Sequence, residues 1–223
     1  SKYAHGEMLS KNETLQALGP WGNSGTELLY TVTYNNGVSK YALRKIPYVP
    51  RVIDVTAGIG IPYSEYAVFN TDVTLLERAE AYALSGKYAE ALKDINTELT
   101  AFSKKKVQLT LDQIKDFYNS QAYYTPTKPT PRKALNPLFA IEKTTQEPLL
   151  QCLLQLRRIL TIHEGFRLQD VKRYGITMYR RQVDVQSKVN ALTDSMKVGD
   201  PRLAIQLPQD VISAGITPNP RNK

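Results

Sequence analysis

A mainly α-helical fold, built on helical pairs and preceded by an irregular segment with a short β-hairpin, is what this 223-residue sequence predicts. Three observations predict it. Apolar residues recur at helical spacing on both sides of Gly86, between Asn70 and Phe102. Leucines run down one side of a second long segment, 148–163. Turn-forming residues crowd the first seventy positions, with Asn35-Asn36-Gly37, Pro47, Pro50, Gly58, Gly60 and Pro62 as punctuation.

A chain of this length can bury a core, and 42% hydrophobic with 22% charged residues excludes wholesale disorder. No stretch approaches the roughly eighteen apolar residues of a membrane span. The opening SKYAHGEMLSKNE lacks the apolar core of a secretory signal, and it also lacks a clean domain opening, which predicts a fragment trimmed from a longer protein. The lone Cys152 has no partner for an internal disulfide and sits in the apolar run PLLQCLLQLRRIL, the setting of a core filler.

Residues 1–71 are expected to form an irregular, hairpin-bearing segment and 72–223 the helical region, the two interleaved in one domain. TELLYTVTYNNGVSKYALRKI alternates β-branched and aromatic residues around Asn35-Asn36-Gly37, a hairpin pattern. Ile46 to Phe69 reads as irregular, and AGIGIP within it as a turn, because it lacks the third glycine and the Lys-Ser/Thr ending of a phosphate loop. Asp72 then suits a helix cap, with Val73, Leu76, Ala79 and Ala83 on one face. Past Gly86, a second helix presents Tyr88, Ala91, Leu92, Ile95 and Leu99. The spacing of Leu75, Ala79, Tyr82, Gly86, Tyr88 and Ala91 resembles a tetratricopeptide helix-turn-helix repeat, which buries its faces only by stacking on neighbours. A shorter amphipathic helix is expected over about 110–121, then a Pro-rich loop, then a long helix from Pro148 to His163 with Leu149, Leu153, Leu156 and Leu160 along one side.

The net charge of +8 raises nucleic acid as a partner, but the basic residues are interleaved with Glu164 and Asp170 instead of stacking aromatics, and no nucleic-acid role is expected. Lys104, Lys105 and Lys106 read as the last turn of a helix, complementing its dipole.

The segment HEGFRLQDVKRYG, 163–175, reads as a helix-turn-helix corner, with Gly165 and Gly175 at the left-handed positions after two helices and Leu168, Val171 and Tyr174 facing inward. Glu164 and Asp170 can there accept bonds from Arg157, Arg167 or Arg173, and replacing Asp170 by alanine is expected to cost about 1–3 kcal/mol. A catalytic reading is weaker. His163 and Glu164 are adjacent on one helix and point about 100° apart, and a zinc-protease pattern needs a histidine where Arg167 stands. No metal, cofactor or catalytic residue is expected.

LRRILTIHEGFRLQDVKRYG resembles the signature of the SusD/RagB family of nutrient-binding proteins, matching it at Glu164, Gly165, Arg167, Asp170, Arg173 and Gly175. Leu160 stands where the family has Glu, and His163 where it has an aromatic residue. FNTDVTLLERAEAYALSGKYAEAL resembles the family's repeat helices, and DPRLAIQLPQDVISAGITPNP its closing strand. The resemblance implies tetratricopeptide-like pairs as a scaffold with a less regular face of loops and short strands. It also implies a lipoprotein on the outer-membrane surface of Bacteroidetes that captures glycans or other nutrients for a SusC-like TonB-dependent transporter without catalysing a reaction. This chain would be the carboxy-terminal portion, and an uncovered repeat face would pair with the missing amino-terminal half or with a second copy.

The family's ligand residues follow no motif that can be matched here. Sugar capture needs aromatic faces flanked by polar groups, and the aromatics in the irregular segments are Trp21, Tyr63, Tyr66, Tyr123 and Tyr124. The rival expectation is a tetratricopeptide-type protein-interaction scaffold with no small-molecule ligand.

Overall fold

The computed structural model describes residues 8–28, 33–34, 42–43, 48–64, 69–162, 164–184 and 188–221. The mainly α class holds among them, with the strands confined to two-stranded antiparallel pairs. The chain divides into two compact units, Ser1–Ile114 and Lys115–Lys223. That division falls later than residue 71, because the first helical pair shares a unit with the amino-terminal strands.

In the first unit a π-helical segment, Met8–Leu15, leads to β1 (Leu18–Gly19), β2 (Gly22–Asn23) and the single turn α1 (Ser24–Glu27). β3 (Thr33–Tyr34) pairs with β4 (Ala42–Leu43), as the hairpin pattern predicts, although its Asn35-Asn36-Gly37 turn lies outside the described residues. The region read as irregular instead forms a longer hairpin, β5 (Tyr48–Asp54) with β6 (Ile59–Ser64). Pro50 and Pro62 are partners in its register, and its turn is 55–58, with Asp54 Oδ1 accepting the N–H groups of Thr56 and Ala57 at 2.8 and 3.0 Å; of the AGIGIP stretch only Ala57 and Gly58 belong to that turn, and the rest runs on as β6. A two-stranded ribbon has outer edges that need no N–H from proline, which is why the prolines did not abolish the strands. Val52, Ile53, Val55, Ile59 and Ile61 are all exposed on it.

α2 (Thr71–Leu84) and α3 (Tyr88–Phe102) follow. The cap of α2 is Asn70, whose side chain accepts the Val73 N–H at 2.8 Å, so Asp72 falls in the first turn instead. Val73, Leu76, Ala79 and Ala83 are buried against the next helix as expected, and so are Ala91, Ile95 and Leu99, while Tyr88 and Leu92 are only half-buried. The helices run antiparallel: Arg78 grips Asp94 through two 2.8 Å bonds, and Asp72 at the start of α2 lies near Glu98 at the end of α3. α3 closes at Phe102, so Lys104–Lys106 lie in the turn beyond it, where Lys104 N–H donates to Glu27 O at 2.8 Å.

Glu98 is 4% exposed. Burial first, and the Asp72 charge second, push its carboxyl up to about 7. A carboxyl whose folded value lies above its ordinary 4.5 binds protons in the folded state that the unfolded chain has released. Its contribution is therefore full below about pH 4.5 and is lost as pH rises through about 7. Glu98→Gln should accordingly raise stability at pH 8 by about 1–3 kcal/mol and flatten the fall between pH 5 and 8. Urea unfolding of both proteins across that range measures the difference, and parallel curves would refute it.

α4 (Leu111–Ser120) opens on a reciprocal cap: Thr110 Oγ1 accepts the Gln113 N–H at 3.2 Å and Gln113 Oε1 accepts the Thr110 N–H at 2.8 Å. The division between the units falls within this helix. The second unit centres on α5 (Gln146–Leu160), which starts two residues before Pro148. Glu142 launches it by accepting N–H bonds from Thr144, Thr145 and Gln146; a hydrogen bond from the Thr144 side chain, and then these backbone bonds, hold its carboxyl down at about 2. The sequence suggested a leucine stripe, yet α5 is enclosed almost all round: 146–157 and Ile159 are buried, and Leu160 is half-exposed. Cys152 is among them, and burial pushes its thiol up. α6 (Arg167–Tyr174) ends on Gly175.

β7 (Met178–Val183) and β8 (Val189–Met196) form the last antiparallel pair, bulged on the β8 side opposite Arg180 and Arg181. The expected closing strand is instead a 3₁₀ turn, Pro201–Leu203, followed by a short α7 (Gln209–Ser213). Asp200 caps the turn through the Arg202 N–H at 2.9 Å, and the Arg202 side chain ties Asp194 and Asp200 together. With Pro201 and Pro208 interrupting the run, paired strand geometry gives way to these caps.

Candidate functional site

The Pro-rich stretch 121–133 is a closed loop. Tyr124 N–H donates to Arg132 O at 2.7 Å, Thr130 Oγ1 donates to Ala122 O at 2.8 Å, and the Arg132 guanidinium reaches Gln121 O at 3.3 Å. Its tip is a turn in which the Lys128 N–H donates to Thr125 Oγ1 at 3.0 Å. Pro126, Pro129 and Pro131 cannot donate, so the loop's cross-links fall on the residues between them.

Two buried residues of α5, one turn apart, hold this loop from beneath. The Gln151 amide pairs with the Lys133 backbone, accepting its N–H at 3.0 Å and donating to its carbonyl at 2.6 Å. Glu147 accepts the Tyr123 hydroxyl at 2.7 Å, takes Lys143 Nζ at 2.9 Å and lies 3.6 Å from Arg132. Arg132 in turn stacks its guanidinium 4.3 Å from the centre of the Tyr123 ring. Burial pushes the Glu147 carboxyl up, but the bonds from Lys143 and Tyr123 and the charges of Lys143 and Arg132 outweigh it, leaving it below the ordinary range. Burial, and then the bond to Glu147, raises the Tyr123 phenol. Despite this support Tyr123 remains 42% exposed.

Beside it, Tyr124 stacks on Tyr179 of β7, with ring centres 6.1 Å apart and planes at 23°. Lys133 Nζ lies 3.5 Å from the Tyr124 ring and Arg181 5.8 Å from it. Tyr179 and Arg181 are two apart on β7, which puts both on the face turned to the loop. The result is one accessible ring, a second ring held by its neighbours, and several cations.

The other aromatic candidates stand elsewhere. Trp21 is 4% exposed; its indole N–H donates to Ser24 Oγ at 2.9 Å, and Gly19 packs directly beneath the ring. It is a core residue, and the sequence reading of it as a ligand contact is corrected. Tyr63 is exposed on β6 in the first unit, and Tyr66 lies outside the described residues. Sequence reasoning missed Arg132, Lys133, Glu147, Gln151, Tyr179 and Arg181. The polar stripe Glu147-x3-Gln151-x3-Gln155 inside an otherwise apolar helix was the available signal, since buried polar residues are there to bond something.

The 163–175 corner is built around Asp170. Arg157 donates to its Oδ1 at 2.6 Å, with both side chains more than nine-tenths buried, and Arg167 approaches its Oδ2 at 3.8 Å. Burial, and then Arg158, hold the Arg167 guanidinium below the usual arginine range even though 28% of its side chain reaches solvent. Glu164 is half-buried, and its N–H closes a turn onto Thr161 O at 3.0 Å. Gly165 lies in the connection between α5 and α6 at φ +87°, not directly at the α5 terminus, which is Thr161. Gly175 caps α6 at φ +58°. Arg173 is exposed and lies 5.6 Å from the Phe139 ring; Leu168, expected inward, is exposed, while Val171 and Tyr174 are buried. His163 lies outside the described residues.

No protein-family model, curated protein or solved structure matches the chain. Chemistry must therefore be read from the residues. The Tyr123 platform offers a flat apolar face bordered by fixed donors, suited to stacking and hydrogen bonding.

Proposed function

We propose that this chain is the carboxy-terminal portion of a SusD/RagB-type protein, a non-catalytic module that binds glycans or other nutrients at the outer-membrane surface and passes them to a SusC-like TonB-dependent transporter. The observation that carries the binding role is Tyr123, an exposed ring locked by Glu147 and Arg132. A pyranose presents an apolar C–H face to such a ring and its equatorial hydroxyls to the donors around it, and prior locking removes ordering cost from binding. The family reading is supported by the motif residues serving as a joint: Asp170 tying Arg157 to the corner and Gly175 turning the chain out of α6. α2 and α3 then stand as one tetratricopeptide-like pair, and the missing amino-terminal half is its proposed neighbour.

A glycan array probed with the chain, followed by titration calorimetry on the best oligosaccharide, tests this reading. Tyr123→Ala should weaken binding about tenfold or more and Tyr123→Phe by less, because phenylalanine keeps the stacking ring and loses only the hydroxyl that Glu147 holds. Unchanged affinity in the alanine variant would remove Tyr123 from the site.

A protein-interaction scaffold remains the second reading, favoured by an open, mainly apolar groove on α2 lined by Phe69, Asn70, Thr71, Thr74, Leu75 and Arg78. Loss of a bound protein partner on Leu75→Lys, with glycan binding absent, would favour it.

A further inference from the structure

We propose that the face of the β5–β6 ribbon carrying Ile59, Ile61 and Tyr63 is a self-association surface, on which a second copy of this chain docks face to face about a two-fold axis. Every residue from Arg51 to Ile61 is exposed, Val52, Ile53, Val55, Ile59 and Ile61 among them. A lone two-stranded ribbon is marginal in water. Bare aliphatic side chains gathered on one mark a surface that something covers.

The register says what fits there. Ile59, Ile61 and Tyr63 alternate along β6 and so share one face. On β5, Arg51 stands opposite Ile61 and Asp54 opposite Ile59, and the bulge between Val52 and Asp54 returns Asp54 to the face of Arg51 despite their odd spacing. That face therefore holds two rungs, Arg51 with Ile61 and Asp54 with Ile59. A two-fold axis crossing the ribbon midway between the rungs lays each on the other. Arg51 then meets Asp54 of the second copy, Ile61 meets its Ile59, and both contacts occur twice. Neither charge is engaged by an opposite one within the chain: among the described residues Arg51 has no ion pair, and Asp54 bonds only the turn N–H groups through Oδ1. The pattern is complementary to itself, and a second copy supplies that complement in full.

Edge-to-edge pairing, the other way for an exposed ribbon to associate, is hindered. Pro50 and Pro62 are register partners without N–H groups, so their nitrogens sit on the outer edges and leave each edge short of a donor. A lipid surface fits no better, because it satisfies neither the backbone groups of those edges nor the two charges. The ribbon is small, and a face of its size falls short of the roughly 800 Å² per partner of a stable complex. The dimer is accordingly weak, with a Kd of about 10–100 μM, and the paired charges set its register more than its strength.

Sedimentation velocity of the chain over concentrations from about 1 to about 500 μM tests this. The expected result is a mass that rises from monomer towards dimer and no further. Arg51→Glu sets like charges together in both contacts and should leave a monomer throughout, as should Ile61→Lys. Val52→Lys lies on the opposite face, since Val52 pairs with Gly60, and should leave the dimer intact. Mixing Arg51→Glu chains with Asp54→Lys chains should recover a heterodimer, although neither variant associates alone. Asp54→Asn keeps an oxygen for the turn and should weaken the dimer even if the lysine variant loses its ribbon. A strict monomer at the highest concentration, or a dimer that persists in Arg51→Glu, would overturn the proposal. Equal loss in Val52→Lys and Ile61→Lys would overturn it as unselective apolar contact, and growth past the dimer as an open-ended one. Co-sedimentation of a monomeric chain with phosphatidylcholine vesicles, lost in Ile61→Lys, would overturn it in favour of lipid.

Discussion

Asp170→Ala will lower the stability of the Lys115–Lys223 unit by about 3–5 kcal/mol, more than the 1–3 kcal/mol that the sequence alone suggests. The difference comes from burial. A half-exposed carboxylate leaves its arginine partner access to water when removed. Here the Arg157 side chain is 7% exposed and the Asp170 side chain 6%, and their bond measures 2.6 Å. Deleting the carboxylate strands the Arg157 charge in a medium that cannot solvate it, and Arg167, already disfavoured by burial and Arg158, loses its nearest anion as well. Urea unfolding should show the midpoint drop, and an unchanged midpoint would refute the account. Should the alanine variant fail to fold, Arg157→Met combined with Asp170→Leu gives the second reading: removing both charges together should recover most of the loss, because the cost lies in the orphaned partner and not in the absence of the pair. A ligand-binding carboxylate would behave oppositely, losing affinity while keeping its midpoint.

Gly175→Ala should cost about 2–5 kcal/mol, the sum of a left-handed conformation forced on a residue with a Cβ and a collision with its surroundings. At φ +58° an added Cβ would land on the Asn136 carbonyl oxygen, with Val198 Cγ2 only 2.8 Å away. The opposing backbone cannot retreat freely, since the Asn136 N–H donates to Tyr174 O at 2.8 Å and its side-chain amide reaches Gly175 O at 3.3 Å. Gly165 is the internal control. It too is left-handed, at φ +87°, yet nothing lies within 4 Å of where its Cβ would stand. Gly165→Ala should therefore show the conformational term alone, about 1–2 kcal/mol. Equal losses in the two variants, measured by thermal and urea unfolding, would mean that the close approach of Asn136 is not the cause.

The two glycines also show how far the sequence could be read. Their spacing announced a left-handed turn at each, but the neighbour that makes one of them irreplaceable is 39 residues away along the chain. The same limit applied elsewhere. Val73, Leu76, Ala79 and Ala83 were legible because a helix imposes its own period on them. The β5–β6 ribbon was not, because its prolines suppress the pattern that sequence reasoning weighs, while the pairing that tolerates them depends on unoccupied outer edges. Tyr123 and Tyr124 were singled out for lying in a loop, and Trp21 for the same reason. What separated them was tertiary: Gly19 and Ser24 close over the indole, whereas Glu147 and Arg132 brace Tyr123 and leave it in contact with solvent.

α5 carries polar groups where an oily helix would be simpler. Gln146 is joined to the Glu142 backbone, Glu147 to Tyr123 and Lys143, Gln151 to both backbone groups of Lys133, Gln155 to the Tyr118 hydroxyl at 2.7 Å, and Arg157 to Asp170. A purely aliphatic cylinder could slide by a turn or roll within its sheath and still bury similar area. Here any such slip would orphan five polar side chains at once, at about 1–3 kcal/mol each, a sum comparable with the whole stability of an ordinary domain. The polar residues thus work as the teeth of a key, admitting a single register of α5 and penalising every neighbouring one.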